Sequence, residues 1–267
     1  MKNIFLFSVL ITLIFSSCKR DKDEIPVNSI ADYPISCFSN FNTGVDLITD
    51  IVGVINYTGR VGSYPTCAVV NIDSSIASDS DTIEIDFGSS NCLDTDGHWR
   101  RGRVVCMYNG GFWDSLSMWE IFFYDYYVDD IKLSGVIQVT NNGHDGAGNT
   151  SHSISTSSSF ERAGDVLVFN SNLLYVRSIG ESTPSYLDDV WFVTGLSTNC
   201  TTFSGKSFSF NITSPLYRSE QCKYLTKGVV SITPQGSPEA SLDYGNGGCD
   251  NGATYTVNGN SFSFLLD

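Results

Sequence analysis

The stretch "IKLSGVIQVT" (131–140) decides the fold class, because apolar and polar residues alternate along most of its length. This period of two sends one set of side chains to the inner face of a β-sheet and the other set toward water. Similar runs recur along the chain, separated by clusters of Gly, Asn, Asp and Ser that favour turns. The longest cluster, 141–153, is predicted to be an exposed hairpin loop. The other predicted strands are 82–87, 103–108, 165–169, 189–195, 206–212, 228–233, 253–257 and 261–266.

One stretch has a different period. In "FNTGVDLITDIVGVI" (41–55) the apolar residues fall at 45, 47, 48, 51, 52 and 55, which is close to helical spacing. This pattern predicts a short helix packed on the sheet. We therefore expect an all-β fold of antiparallel sheets, arranged as a sandwich or an open curled sheet, with one short N-terminal helix.

The N-terminus has the pattern of a secretory signal. Lys2 precedes about a dozen mostly apolar residues, and small residues (16–17) come just before Cys18. The apolar run is too short to cross a bilayer as a helix, which takes about 20 residues. Charged residues then dominate "KRDKDE" (19–24). The sequence therefore predicts that residues 1–17 are removed on export.

The residues around Cys18 resemble two signals of bacterial lipoproteins. "FSSC" (15–18) is similar to the lipobox, and "KRDKDE" is similar to the charged export signal of surface lipoproteins of Bacteroidota. The resemblance implies a lipid on Cys18. The pattern of the remaining chain predicts a tether over 18–30 and an all-β domain over 31–267, with two related halves as one possibility. The resemblance also implies that the chain sits in the outer membrane, exposed at the cell surface, with its lipid anchor as the membrane contact.

The charge of the chain excludes one class of partner. The sequence has 15 basic and 29 acidic residues, for a formal net charge of −14. Nucleic-acid binding needs a basic footprint, so we expect no nucleic-acid partner. The same charge disfavours electrostatic docking on anionic lipid.

One motif occurs twice. "IDFGSSNC" (85–92) and "LDYGNGGC" (242–249) share the pattern apolar-Asp-aromatic-Gly-x-x-x-Cys, and only the first copy is followed by the insertion "DTDGHWRR" (94–101). This spacing indicates an internal duplication. The copies also share an upstream cysteine, an Asp after the second cysteine and a later Asn-Gly pair: Cys67, Asp94 and 109–110 in the first, and Cys222, Asp250 and 258–259 in the second.

The duplication predicts disulfides. Exported proteins are oxidised, and matching the two copies pairs Cys67 with Cys92 and Cys222 with Cys249. Each bond would stabilise the fold by about 3 kcal/mol on the chain-entropy model. Apart from Cys18, the cysteines that remain are Cys37, Cys106 and Cys200. Of these, Cys106 fits a buried thiol inside a strand, and a bond between the other two stays open.

The shared acidic residues of the motif, Asp86 and Asp243, come at the end of a strand. We expect each carboxylate to accept hydrogen bonds from the backbone of the following turn, where a glycine allows a positive φ. The motif then shapes a corner of the sheet. The competing hypothesis is a calcium site of Asp86, Asp94 and Asp96, although "DTDG" (94–97) lacks the final Glu of an EF-hand loop.

Longer segments of the chain resemble a group of all-β surface lipoproteins of Bacteroidota. The resemblance covers most of residues 65–267 and implies a fold class and a location, without an activity. The segments that carry it, besides the repeated motif, are "GRVVCMYNG" (102–110), "FYDYYVDDIKLSG" (123–135), "KSFSFNITSPLYRSEQC" (206–222) and "KGVVSITPQG" (227–236).

The sequence shows no established catalytic or metal-binding motif. It has no Gly-x-Ser-x-Gly and no His-Glu-x-x-His, and its histidines, His98, His144 and His152, do not have ligand spacing. We therefore expect no metal and no cofactor. Four carboxylates lie among aromatic residues, as in glycosidases, but a half-exposed sheet face is the favoured interpretation. They are Glu120, Asp125, Asp129 and Asp130.

Three functions follow, in order of preference. The first is a non-catalytic surface lipoprotein with a structural or interaction role and a surface protein as partner. The second is a carbohydrate-binding module, in which aromatic side chains on one strand face stack on a glycan. The third is a glycan-active enzyme. Exposure of the tryptophans would favour the second function and burial the first. The aromatic residues proposed for that face are Trp99, Trp113, Trp119 and Tyr126.

Overall fold

The computed structural model describes residues 29–64, 67–73, 81–109, 114–182, 188–219 and 221–266. Within these ranges the chain forms one helix, α1 (Ser29–Val61), followed by fourteen strands. The strands are β1 (Val69–Asp73), β2 (Asp81–Asp86), β3 (Cys92–Leu93), β4 (Trp99–Asn109), β5 (Met118–Val128), β6 (Ile131–His144), β7 (Thr150–Arg162), β8 (Asp165–Ile179), β9 (Val190–Thr201), β10 (Ser207–Ser219), β11 (Lys227–Pro234), β12 (Ala240–Asn246), β13 (Gly252–Val257) and β14 (Asn260–Leu265).

All strands belong to one antiparallel sheet. Its order follows the chain from β1 to β14, except that the short β3 pairs with β4 off the main path. Each long strand therefore lies beside its neighbours in sequence, as in a meander. The predicted all-β fold with an N-terminal helix is confirmed, and the sheet is continuous.

The helix lies inside the curve of the sheet. Between Pro34 and Gly59, every residue except Gly53 is at least partly buried. The ring of Phe38 lies near rings of β13 and β14, and the ring of Phe41 lies 4.7 Å, centroid to centroid, from a ring of β10. A helix can reach these strands and also β2 and β8 only if the sheet curls around it.

α1 is longer than the helix predicted from the apolar spacing. It begins at Ser29, so the last two residues of the predicted tether (18–30) are helical. Buried Phe38 and Phe41 extend the apolar contacts toward the N-terminus. Asn40 between them is compatible with a helix because its side chain bonds one turn back: Nδ2 donates to the Ser36 carbonyl at 2.6 Å. Within the described residues, no helix is both long and apolar enough to span a membrane.

The predicted loop at 141–153 is mostly strand. β6 continues through His144 and β7 begins at Thr150, so only the residues between them form the turn. Asp145 holds this turn by accepting the N–H groups of Ala147 and Asn149 at 2.8 and 2.9 Å. The prediction of a long exposed loop was wrong, because the polar residues at 141–144 and 150–153 belong to strands. His152 among them is buried.

The two copies of the repeated motif have the same local structure. Asp86 pairs with Val69 across β1 and β2, and Asp243 pairs with Val229 across β11 and β12. Each Asp Oδ1 accepts the N–H of the glycine two residues on at 2.8 Å. Both glycines have a positive φ, 78° and 91°. The predicted turn at the corner of the sheet is therefore confirmed in both copies.

The predicted disulfides are also present. Cys67 pairs with Cys92 and Cys222 with Cys249, with Cα–Cα distances of 6.3 and 5.8 Å. Each bond joins the segment before a hairpin to the segment after it, and the two hairpins lie toward opposite ends of the sheet order. The remaining described cysteines, Cys37, Cys106 and Cys200, are buried free thiols, so the bond between the first and the last of these is not formed. The predicted signal peptide and the lipidated Cys18 lie outside the described residues.

Candidate functional site

A cavity of about 490 Å³ lies between α1 and the inner face of the sheet. Its lining includes the middle of the helix and residues of β5 to β10. Exposed lining residues mark its opening: Gly53 on the helix, Asp96 and Asp129 on one side, and Gln221 and Lys223 on another. The volume falls within the range of about 300–1,000 Å³ that is usual for small-molecule sites.

The floor of the cavity is aromatic. Trp119 on β5, His152 on β7 and Trp191 on β9 form a row of rings with successive centroid distances of 5.7 and 5.8 Å. Tyr175 on β8 lies beside Trp191 at 6.4 Å, and its hydroxyl shares a 2.8 Å hydrogen bond with Thr49 of the helix. All four rings are buried. Their side chains point inward because each occupies an inner position of its strand.

A bulge in β5 adds one more aromatic residue to the inner face. Phe122 pairs with Val136, but Tyr127 pairs with Lys132, so β5 has one more residue than β6 in this interval. Asp125 within it has a positive φ of 45°. Such an extra residue reverses the alternation of side chains. Tyr126 therefore points inward, on the same face as Trp119, although the two positions differ by an odd number.

A buried arginine braces the wall beside this floor. Arg100 on β4 donates to both carboxylate oxygens of Asp50 on the helix, each at 2.6 Å. Its Nε donates to Asp94 at 2.6 Å, a second terminal nitrogen donates to Asp96, and Nη1 donates to the Tyr126 hydroxyl at 2.9 Å. One guanidinium thus joins the helix to β4, to β5 and to the loop between β3 and β4.

The electrostatics of this group leave the wall negative. The Arg100 side chain is fully buried and Asp94 is nearly so. Burial alone would lower the pKa of Arg100, but the adjacent carboxylates, Asp50 foremost, raise it. The hydroxyl of Tyr64 donates to Asp94 at 2.5 Å, and burial together with this carboxylate raises the pKa of Tyr64. A single cation serves three carboxylates, so two negative charges remain uncompensated within the group.

His98 extends this wall toward the cavity opening. Its Nδ1 lies 2.6 Å from Oδ2 of Asp129, whose other oxygen accepts the backbone N–H of Trp99 at 2.9 Å. Burial acts to lower the pKa of His98, but the hydrogen bond to Asp129 and the nearby Asp50 and Asp96 outweigh it, so the pKa is raised. The environment therefore favours a positive charge at this position.

Three side chains of the wall could hold a metal ion by their spacing. Asp50, Asp96 and His98 each offer one ligand atom, and these three atoms lie within 4.8 Å of one another. Among the described residues, no other group of three such side chains lies close enough together to bind a metal ion. Arg100 already binds both carboxylates, and its charge opposes a second cation in the same place.

The hypothetical calcium set is not assembled. Asp86 accepts the N–H of Gly88 in its own turn, and Asp94 is bound to Arg100. Asp86 does not belong to the group of potential metal ligands found among the described residues, so Asp86, Asp94 and Asp96 do not form one site.

The predicted aromatic face is not an exposed surface. Trp119 and Tyr126 are 1% and 0% exposed and belong to the inner face, whereas Trp99 is 47% exposed. Trp113 lies outside the described residues. Trp119 is buried because it alternates with Ile121 on the inner side of β5, and the bulge at Asp125 then turns Tyr126 to the same inner face.

The four carboxylates compared with a glycosidase are dispersed. Glu120 accepts from Gln138 at 2.7 Å, Asp125 pairs with Lys132 at 2.9 Å, and Asp130 pairs with Arg101 at 2.6 Å. Among the four, Asp129 is the one that lines the cavity. These four carboxylates therefore do not form the pair on opposite sides of a cavity that a glycosidase uses.

Sequence reasoning did not single out Arg100 or its helical partner Asp50. A signal was present, since Asp96, His98 and Arg100 all belong to the insertion that distinguishes the first copy of the motif from the second. An insertion that concentrates charged residues in one copy of a duplicated unit indicates a role that the other copy does not have.

Comparison with known proteins leaves the site to be interpreted from its own geometry. No protein-family model matches the chain, and neither a curated protein nor a solved structure shows significant similarity to it.

Proposed function

We propose that this chain is a non-catalytic binding protein that holds a small ligand between its helix and its sheet. The cavity of about 490 Å³ with an aromatic floor carries the proposal. Small-molecule sites are usually concave, mostly apolar and supplied with a few fixed polar groups. Trp119 and Trp191 supply the apolar surface, and Asp96 and Asp129 supply polar groups at the opening.

The buried network supports binding better than catalysis. Arg100 is fixed by Asp50, Asp94 and Tyr126, so it holds the wall in place and is not free to take part in a reaction. Preformed walls lower the entropic cost of taking up a ligand. Both disulfides add rigidity at the hairpins of the two motif copies.

We also propose that the protein is exported and anchored in the outer membrane through Cys18, on the basis of the sequence pattern alone. Replacing Cys18 with Ser should abolish fatty-acid labelling and release the protein from the membrane fraction, because the anchor is covalent. Labelling followed by cell fractionation measures both. Continued labelling of Cys18→Ser, or retention in the membrane, would exclude the anchor.

Filling the opening should block ligand uptake. Gly53 lines the cavity, and a Cβ atom there meets nothing within 4 Å, so Gly53→Phe can place a ring in the opening without a clash at its base. The neutral dye N-phenylnaphthylamine tests this, since energy transfer from Trp119 and Trp191 reports a dye on the cavity floor. We expect saturable binding by the wild type and at least a tenfold loss in Gly53→Phe.

The matched control is Gly53→Ala, which changes the same position without filling the opening and should bind the dye like the wild type. Equal unfolding midpoints of the wild type and Gly53→Phe would show that the fold is kept. Absence of dye binding by the wild type, or unchanged binding by Gly53→Phe, would contradict the proposal.

A further inference from the structure

We propose that β14, at one end of the sheet, is an interface at which two copies of this chain join as an antiparallel, two-fold symmetric pair. The strand does not line the cavity, so the proposal is independent of the ligand. It follows from three properties of the hairpin formed by β13 and β14: an open backbone edge, a half-exposed aromatic side chain on the inner face, and a sequence without charge.

The backbone of β14 is open on one side. β14 pairs with β13 in a continuous register and is the last strand in the order of the described sheet. The N–H of Leu266 donates to the carbonyl of Asn251 at 2.9 Å, which sets the alternation of the ladder. The even-numbered residues of β14 therefore direct their backbone groups toward β13. The backbone groups that face the open edge are those of Ser261, Ser263 and Leu265.

The inner face of the sheet is incompletely covered at this edge. Phe262 lies directly opposite Tyr255 of β13, and the two rings stack with their centroids 5.0 Å apart. Directly opposite side chains share one face of a sheet, so Phe262 belongs to the inner face. Tyr255 is 5% exposed, whereas Phe262, one strand further out, is 45% exposed. A strand added beside β14 would cover this ring.

The charge pattern favours a second copy of the chain as the source of that strand. Edge strands are commonly protected from pairing by charged residues, prolines or bulges. Residues 251–266 contain neither a charged residue nor a proline, although the whole chain has 15 basic and 29 acidic residues. Two copies that meet here place no carboxylates opposite each other. The opposite edge of the sheet, β1, contains Asp73.

Two-fold symmetry fixes the register of the pair. An axis perpendicular to the sheet at Ser263 places this residue opposite its own copy and Ser261 opposite the partner's Leu265. All residues with backbone groups at the open edge are then paired, as a self-complementary interface requires. The same register places Phe262 beside the partner's Phe264 on the inner face. Aromatic pairs across strands stabilise a sheet.

Analytical ultracentrifugation of the full mature chain tests the association, with Cys18→Ser present so that no lipid causes it. We expect a reversible equilibrium between monomer and dimer. Ser263→Pro should weaken the dimer at least about tenfold, because each copy loses the N–H that donates across the axis. Proline is tolerated at an edge where its nitrogen faces outward. Ser263→Ala keeps the N–H and is the matched control, which should dimerise like the wild type.

Ser263→Lys disrupts the pair without touching the core, because this side chain is exposed on the outer face. It places two like charges directly opposite each other across the axis. The dimer should therefore weaken, and it should recover in part when salt screens the charges. Equal unfolding midpoints of Ser263→Lys and the wild type would show that each monomer keeps its fold.

Cysteine substitution measures the register. Ser263→Cys should form a disulfide between two copies, since directly opposite residues have Cα atoms about 5.5 Å apart, which suits a disulfide. Thr254→Cys is the matched control, because Thr254 is exposed, on the same face and opposite Ser263 on β13. Its Cα would lie about 15 Å from that of its copy, two strand spacings further apart. Non-reducing electrophoresis should show a dimer for Ser263→Cys alone.

Three outcomes would overturn the proposal. The first is a monomer at all concentrations, or association that neither Ser263→Pro nor Ser263→Lys weakens. The second is a disulfide-linked dimer of Thr254→Cys as abundant as that of Ser263→Cys. The third is growth beyond the dimer, which would indicate that β14 of one copy pairs with β1 of the next in an open chain.

Discussion

Replacing Arg100 with methionine should lower the free energy of unfolding by about 3–5 kcal/mol, the range found when one partner of a buried ion pair is removed. Methionine keeps the unbranched apolar stem of the side chain but leaves Asp94 without its cation in a fully buried position. Asp50 loses two hydrogen bonds of 2.6 Å at the same time. Urea unfolding of the mature domain, followed by circular dichroism, measures the change.

The adjacent Arg101 offers a matched control. Its ion pair with Asp130 is exposed, and exposed pairs contribute about 0–1 kcal/mol, so Arg101→Met should have a small effect.

The Arg100→Met penalty should also shrink on acidification from about pH 7 to about pH 5. An unpaired buried carboxylate has a folded-state pKa above its unfolded value, and protonation below that pKa removes the buried charge. Equal penalties for the two variants, or a penalty independent of pH, would refute this account of the network.

Replacing Gly44 with alanine should also destabilise the protein, by about 2–3 kcal/mol, although alanine is the better helix former. A Cβ atom at this position would overlap the ring of Phe169. That ring cannot move aside easily, because it is fully buried with Phe41, Phe160 and Phe210 around it at centroid distances of 5.5–6.4 Å. Thermal and urea unfolding of the variant measure the loss.

The same substitution at Gly53 should have the opposite sign. Nothing lies within 4 Å of a Cβ atom there, so Gly53→Ala gains about 0.5–1 kcal/mol from helix propensity alone.

A double-mutant cycle tests the contact between position 44 and the ring of Phe169, since Phe169→Leu should relieve part of the Gly44→Ala penalty. Additive effects of Gly44→Ala and Phe169→Leu would mean that the ring is not the cause.

Strands that bury apolar residues on one face were predictable from the sequence. The alternation in 131–140 corresponds to Leu133, Ile137 and Val139 on the inner face of β6. β7 could not be found in this way, because its inner positions include Thr156 and Ser158. The Thr156 hydroxyl is satisfied instead by Ser171 on the next strand, at 2.9 Å. Such a pair depends on the register of two strands, which local composition does not report.

The candidate site shows the same division between local and distant information. The turns at Asp86 and Asp243 were predictable because the donor, the acceptor and the glycine all lie within three residues. The partnership between Arg100 and Asp50 joins a strand to a helix fifty residues earlier, so no local pattern contains it. The inward orientation of Tyr126 depends on the bulge at Asp125, where φ is positive. In the sequence this bulge corresponds to a single aspartate, which does not predict it.

The position of α1 inside the sheet sets the order in which the native structure can be completed. The helix is synthesised first, yet Phe38 near its N-terminus is covered by Tyr255 and Phe264 near the end of the chain. The meander lets each hairpin form from neighbouring strands as they appear, whereas these last contacts require closure of a very long loop. A chain released before β13 would therefore leave an apolar helix end uncovered. The core is complete only when β13 and β14 are present, so a product truncated before them exposes an apolar helix end to proteolysis and aggregation.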